Sequence, residues 1–220
     1  MSGVFFLIWS SLAEWNSKYS GRSLFVLICG LSLAGIITRL EPTVCLETLS
    51  LIAVWIGFYT GGRHWSDTDL GAWIVRGGLG SYRVVWANMA ASGLTVAVNL
   101  LVATPVFILM SRIWGAPAWH LVLAIAFVLA STSVYAAIGQ LTSLIGDDYA
   151  KFIGFALAVN IWIFSALIDI LRWFNPFLII RDVMLGGVRT GVIAIGCNLA
   201  LGMVIPLITG AILWWRERGR

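Results

Sequence analysis

Three titratable side chains stand close together at His64, Asp67 and Asp69, inside an interval from Gly61 to Asn88 that reads GGRHWSDTDLGAWIVRGGLGSYRVVWAN. An imidazole beside two carboxylates could ligate a metal or move a proton, and these are the two chemistries the group offers. Metal-binding His and carboxylate residues on a helix are usually spaced to share one face, and no second cluster exists to complete a coordination shell. The expectation is therefore no metal site and no catalytic site. A membrane-embedded enzyme using His64, Asp67 and Asp69 is the alternative reading of the same residues.

The remaining reactive types are scattered. His120 stands alone at the start of an apolar run, where an interfacial histidine is the simpler role. Asp147-Asp148 has no basic or glycine-rich companion after it, and acids at that point suit a helix N-terminus. Cys29, Cys45 and Cys197 have neither the even count nor the spacing of a disulfide framework or zinc site, and read as small apolar fillers. The pattern G-x-x-x-x-G-K-[ST] does not occur, so ATP, if it powers this protein, is bound by another polypeptide.

The elements that must position these residues are apolar. Of 220 residues, 60% are hydrophobic and 11% charged, with a mean hydropathy of +0.95, which is too much apolar side chain for the core of a soluble chain of this length. An all-α integral membrane protein in a single transmembrane domain spanning 1–220 is expected. The net charge of +4 is spread singly between apolar runs instead of forming one basic face, so nucleic acid is not the expected partner. The N-terminus has no basic region and no small-residue cleavage site, and no removable signal peptide is expected.

Residues 4–20 place Phe5, Ile8, Trp9, Leu12, Trp15 and Tyr19 at helical spacing opposite Ser11, Glu14, Ser17 and Lys18, the pattern of an interfacial amphipathic helix. Six apolar runs follow, at Ser23 to Leu40, Val44 to Thr60, Val84 to Ile113, Trp119 to Ile145, Phe152 to Leu171 and Gly191 to Trp215. Each is read as a transmembrane helix, with a kink at Pro105 in the third. Between the last two, 172–190 contains an apolar stretch too short to cross, bounded by Asn175-Pro176 and Gly186-Gly187. It reads as a re-entrant outer segment, with Asp169 paired to Arg172 beside it.

Charge sets the orientation. With the N-terminus inside, the inner set is Lys18, Arg22, Arg63, Arg76, Arg83, Lys151, Arg216, Arg218 and Arg220, against Arg39, Arg112, Arg172, Arg181 and Arg189 outside. The bias puts both termini and the loop 61–88 in the cytoplasm of a multi-pass protein of the cell (inner) membrane. Polar residues inside the runs are few. Asn99, Asn160 and Asn198, together with the deep Trp162, are the candidates for lining a translocation path, and interhelical hydrogen bonding is the simpler role for the asparagines. Gly57-x-x-x-Gly61 and Gly187-x-x-x-Gly191 fit close helix packing.

The layout resembles the permease subunits of ABC-2 type transporters: an amphipathic first helix, six spans, a cytoplasmic loop after the second and an outer segment before the sixth. Asp67, Gly71 and Trp73-Ile74-Val75 match that family's acidic residue, glycine and apolar stretch, whereas Gly77-Gly78 stands in place of its proline and Asn88 where a lysine is common. From Gly139 to Leu185, a G-x-L-x-S-L-like span end, the Asp147-Asp148 turn and Asn-Pro-Phe-Leu followed by Arg-Asp also match. The resemblance implies an ATP-driven exporter, with Asp67, Asp69, Leu70, Gly71, Trp73, Ile74 and Arg76 as a coupling helix against a P-loop ATPase subunit. It also implies a second permease subunit, in a homo- or heterodimer amid membrane lipids. It implies no cofactor in this chain, ATP and Mg being bound by the partner. The low polarity of the runs points to an amphiphilic substrate. An ATP-independent channel or secondary carrier is the further alternative.

Overall fold

A computed structural model describes residues 42–63, 80–115, 117–144, 147–165 and 167–218. The interfacial helix at 4–20, the run Ser23 to Leu40, and the group His64, Asp67, Asp69, Leu70, Gly71, Trp73, Ile74 and Arg76 lie outside these residues. Among the described residues every regular element is a helix. In chain order they are α1 (Pro42–Arg63), α2 (Ser81–Trp114), α3 (Ala118–Ser143), α4 (Asp147–Phe164), the single turn α5 (Asp169–Arg172), α6 (Pro176–Met184) and α7 (Val188–Arg218). Two of them, α3 and α7, are long and apolar enough to cross a membrane.

The centre of the bundle is α3, which touches α1, α2, α4, α6 and α7. Its residues suit that place because they are small or apolar: Ala124, Ala130, Ala136 and Ala137 are buried beside Phe127, Val128 and Val134. The Ser and Thr hydroxyls it buries are satisfied within the helix. Ser131 and Thr132 both donate to Val128 O, at 3.0 and 2.7 Å, and Ser143 donates to Gln140 O at 2.7 Å. A buried hydroxyl bonded three or four residues back carries no desolvation penalty into the interface, so polar small residues can stand where helices approach closely.

Several approaches are close enough to require glycine. A Cβ on Gly57 of α1 would lie 2.8 Å from the Thr132 carbonyl oxygen, and one on Gly191 of α7 2.7 Å from Leu123 and Val183. Gly202 of α7 faces the Ser133 hydroxyl, Gly154 of α4 faces the Phe58 ring, and Gly210 of α7 faces Tyr82. Both expected small-residue motifs thus contribute a contact, through Gly57 and Gly191.

These pairings fix the helix directions. Leu123 with Gly191, Ser133 with Gly202, and Arg216 donating to Leu144 O at 3.0 Å show that α7 runs with α3. Leu46 clusters with Leu121 and Ala124, and Phe58 with Tyr135, so α1 also runs with α3. Gln140 bonds Val85 O, and Thr142 lies by Gly154, so α2 and α4 run against it. Consequently Arg63, Gly80, Leu144, Asp147 and Arg216 gather at one end of the bundle, and the 64–79 connection leaves and re-enters there. The other end carries Pro42 and Trp114, and α6 runs toward it from a turn that meets α3 at Tyr135, past the midpoint of that helix.

Outward faces stay apolar. On α2, Leu94, Val98, Leu101, Ile108 and Ile113 are exposed, with Leu101 at 69%. On α7, Val192, Leu199, Met203 and Leu207 are exposed, and only 33% of its most apolar stretch is buried, against 61% for α3. In water such continuous apolar surface would be a liability.

The structure differs from the expected spans in one place. The run Phe152 to Leu171 is not one helix: α4 ends at Phe164 and the chain turns through Ser165 and Leu167 before α5. Apolar composition continues across this break, so hydropathy alone cannot locate it. As expected, α2 continues through Pro105, and it ends at Trp114, where Gly115 at φ +68° makes the turn into α3.

Gly57→Ala is expected to cost about 1–3 kcal/mol by pushing α1 off the Thr132 carbonyl. Gly196→Ala, with open space at its Cβ position, should be neutral. Unfolding of the detergent-purified variants, followed by tryptophan fluorescence, compares the two.

Candidate functional site

The densest polar cluster among the described residues lies where α3, α4 and α7 meet the turn between α5 and α6. That turn is built locally. Asn175 caps α6, its Oδ1 accepting from the backbone N–H of Phe177 at 2.9 Å and of Leu178 at 3.4 Å, and Pro176 occupies the first turn, where its missing N–H costs nothing. At the other end α6 stops at Leu185, and Gly186 at φ +98° supplies the left-handed residue. Ile179, Ile180 and Val183, all fully buried, make the face of α6 that packs into the core formed by α1, α2, α3 and α7. The expected breakers Asn175-Pro176 and Gly186-Gly187 therefore bound a real helix.

Long-range bonds then hold the turn from three sides. Tyr135 of α3 donates its hydroxyl to Phe174 O at 3.0 Å, and the Trp162 indole N–H of α4 donates to that same hydroxyl at 2.6 Å. Asn198 of α7 donates to Trp173 O at 2.8 Å and to Ala194 O at 2.8 Å. Two consecutive turn carbonyls are thus bonded, one to α3 and the next to α7. From α4, Ser165 Oγ accepts from Asn175 Nδ2 at 2.6 Å, while Ser165 in turn donates to Trp162 O. Edge-to-face contacts of Trp162 with Tyr135 (6.1 Å) and Phe177 (5.8 Å) close the space around these bonds. On the exposed side, Arg172 pairs with Asp182 at 2.6 Å. The expected partner Asp169 is instead the first residue of α5, where its charge suits the helix N-terminus.

Nothing among protein-family models, curated proteins or solved structures matches this chain.

Two of the four proposed path residues, Trp162 and Asn198, come together in this cluster and act on the same turn. The Trp162 N–H reaches the turn through Tyr135, and the Asn198 amide nitrogen bonds it directly. Asn160 is exposed on α4 and donates to Ala156 O of its own helix at 2.7 Å. Asn99 belongs to α2, and its side chain is not among those described. Sequence reasoning missed Tyr135, Ser165 and Gln140. A single Tyr in an otherwise apolar run was an available signal for Tyr135, because a buried phenol requires a partner. Among the described residues, the buried atoms His120 Nδ1, Gln140 Oε1 and Asn198 Oδ1 have no hydrogen-bond partner.

Tyr135→Phe removes the donor to Phe174 O and the acceptor of the Trp162 N–H together. A loss of about 1–3 kcal/mol is expected, with faster proteolysis in 165–187. Asn175→Ala, which deletes the cap and the Ser165 bond, should act in the same direction. Limited proteolysis with mass mapping reads both.

Proposed function

We propose that this chain is the membrane-spanning permease subunit of an ATP-driven exporter of the ABC-2 type, coupled to a separate P-loop ATPase subunit. The observation that supports this best is the common end of the helices. The connection 64–79 leaves α1 and enters α2 at the end where α3 turns into α4 and where Arg216 of α7 lies. A segment bearing Asp67, Asp69, Leu70, Gly71, Trp73, Ile74 and Arg76 at that end is well placed to act as a coupling helix, with Trp73 and Ile74 as apolar anchors and the charged residues as a rim.

On this reading six helices span the inner membrane. The exposed apolar faces of α2 and α7 meet lipid or a second permease subunit, and the end bearing Arg216 is cytoplasmic, as its Trp214-Trp215-Arg216 sequence suits. The segment 172–190 then lies at the outer leaflet as a re-entrant element fastened by Tyr135, Trp162 and Asn198. Closure of two ATPase subunits on ATP would press on the coupling segments and reorient the helices around a path for an amphiphilic substrate.

Affinity purification from the native membrane tests the reading. A P-loop ATPase should copurify, and Asp69→Lys should leave the complex able to hydrolyse ATP while transport falls at least tenfold, the scale of one lost interfacial charge contact of about 1.4 kcal/mol or more. A fully active chain with no ATPase partner would sink it. Loss of activity on His64→Ala with assembly intact would instead favour a site using His64, Asp67 and Asp69.

A further inference from the structure

Gln140 is fully buried near the C-terminal end of α3, and its Nε2 donates to Val85 O of α2 at 3.0 Å. Val85 is itself fully buried, five residues past Gly80, where the chain returns from the 64–79 connection. The bond fixes the amide orientation, because only the nitrogen can donate to a carbonyl, and this leaves Gln140 Oε1 buried without a donor. A half-satisfied buried amide is a poor way to stabilise a helix pair, and an apolar residue of similar volume would serve packing better. Its effect is positional: it holds one carbonyl near the start of α2 to one place on α3.

The same end holds two further contacts. Arg216 of α7 donates to Leu144 O, four residues beyond Gln140, and the Tyr82 ring of α2 lies against Gly210 of α7. So α2, α3 and α7 are joined to one another close to where the connection enters α2. On the departing side, α1 meets α3 through the Gly57 to Thr132 approach and the apolar cluster of Val54, Phe58 and Tyr135.

We infer that Gln140 is a positioning residue that fastens the entry of α2 to the central helix, so that force on the 64–79 connection moves α3 and α7 instead of bending α2 alone. The inference rests on the reading of that connection as the ATPase-coupling segment. The tie itself does not.

Gln140→Met keeps volume and removes the amide, and hydrogen exchange with mass spectrometry on the purified chain judges the tie. Amides in 80–90 should exchange roughly tenfold faster, as expected for a lost buried hydrogen bond, while the unfolding temperature holds or rises because the unpaired oxygen is gone. Unchanged exchange there would overturn the tie. A second arm uses the complex with its copurified ATPase, trapped with ATP and vanadate. In the wild type, trapping should alter exchange in both 80–90 and 118–143; in Gln140→Met the ATPase should still bind and hydrolyse ATP, but the change in 118–143 should be lost. Persistence of that change, or a joint fall of unfolding temperature and response, would overturn the positioning role. Absence of any ATPase partner would overturn the exporter reading and the coupling role with it, leaving the first arm to decide the tie alone.

Discussion

The structure depends on α3 being a helix that other helices can approach from nearly every side. Such a helix must be narrow, and it must not bring unsatisfied polar groups into the contacts. Alanines provide the narrowness, and hydroxyls bonded to their own backbone provide the polarity at no cost in lost partners. Ser131, Thr132 and Ser133 illustrate the arrangement: each is paired within α3, and Thr132 and Ser133 still allow Gly57 of α1 and Gly202 of α7 to approach from different directions. Where hydration is scarce, packing of small residues carries helix association, and the glycines opposite α3 serve that packing.

Two levels of α3 are used differently. Toward α6, Tyr135 lies at the centre of bonds that reach α4 and the turn before α6, while Asn198 reaches that turn from α7. The 165–187 segment is thereby held by side chains distributed over three helices, a more rigid attachment than its own short helices could provide. Toward the 64–79 connection, Gln140 donates to the backbone carbonyl of Val85 and Arg216 to that of Leu144. One level braces the 165–187 segment. The other joins helices near the point where a connecting segment enters.

Much of the helical layout was legible in the sequence because apolar run length and turn residues are local signals. The runs beginning near Val44, Val84, Trp119 and Gly191 match α1, α2, α3 and α7 to within a few residues, and Asn175-Pro176 and Gly186-Gly187 bound α6. The end of α4 at Phe164 was not legible, since Leu167, Ile168 and Ile170 continue the apolar composition beyond it. Nor was the choice of Asp182 over Asp169 by Arg172, because spacing along the chain does not reveal that α6 folds back to bring Asp182 alongside. Asn198 and Trp162 were legible as unusual residues. Their partner, a turn some 10 to 25 residues away, appears only in three dimensions.

The central claim is that the 64–79 connection and the C-terminal end of α7 share the cytoplasmic face, with the α2 to α3 turn and α6 opposite. Single cysteines placed at Leu70, Trp215, Gly115 and Leu185, in a chain whose Cys29, Cys45 and Cys197 are replaced by alanine, test this with a membrane-impermeant maleimide on intact and permeabilised cells. The account predicts labelling of the Gly115 and Leu185 positions in intact cells, and of the Leu70 and Trp215 positions only after permeabilisation. Labelling of the Leu70 position from outside, or of Leu70 and Trp215 from opposite faces, would contradict it.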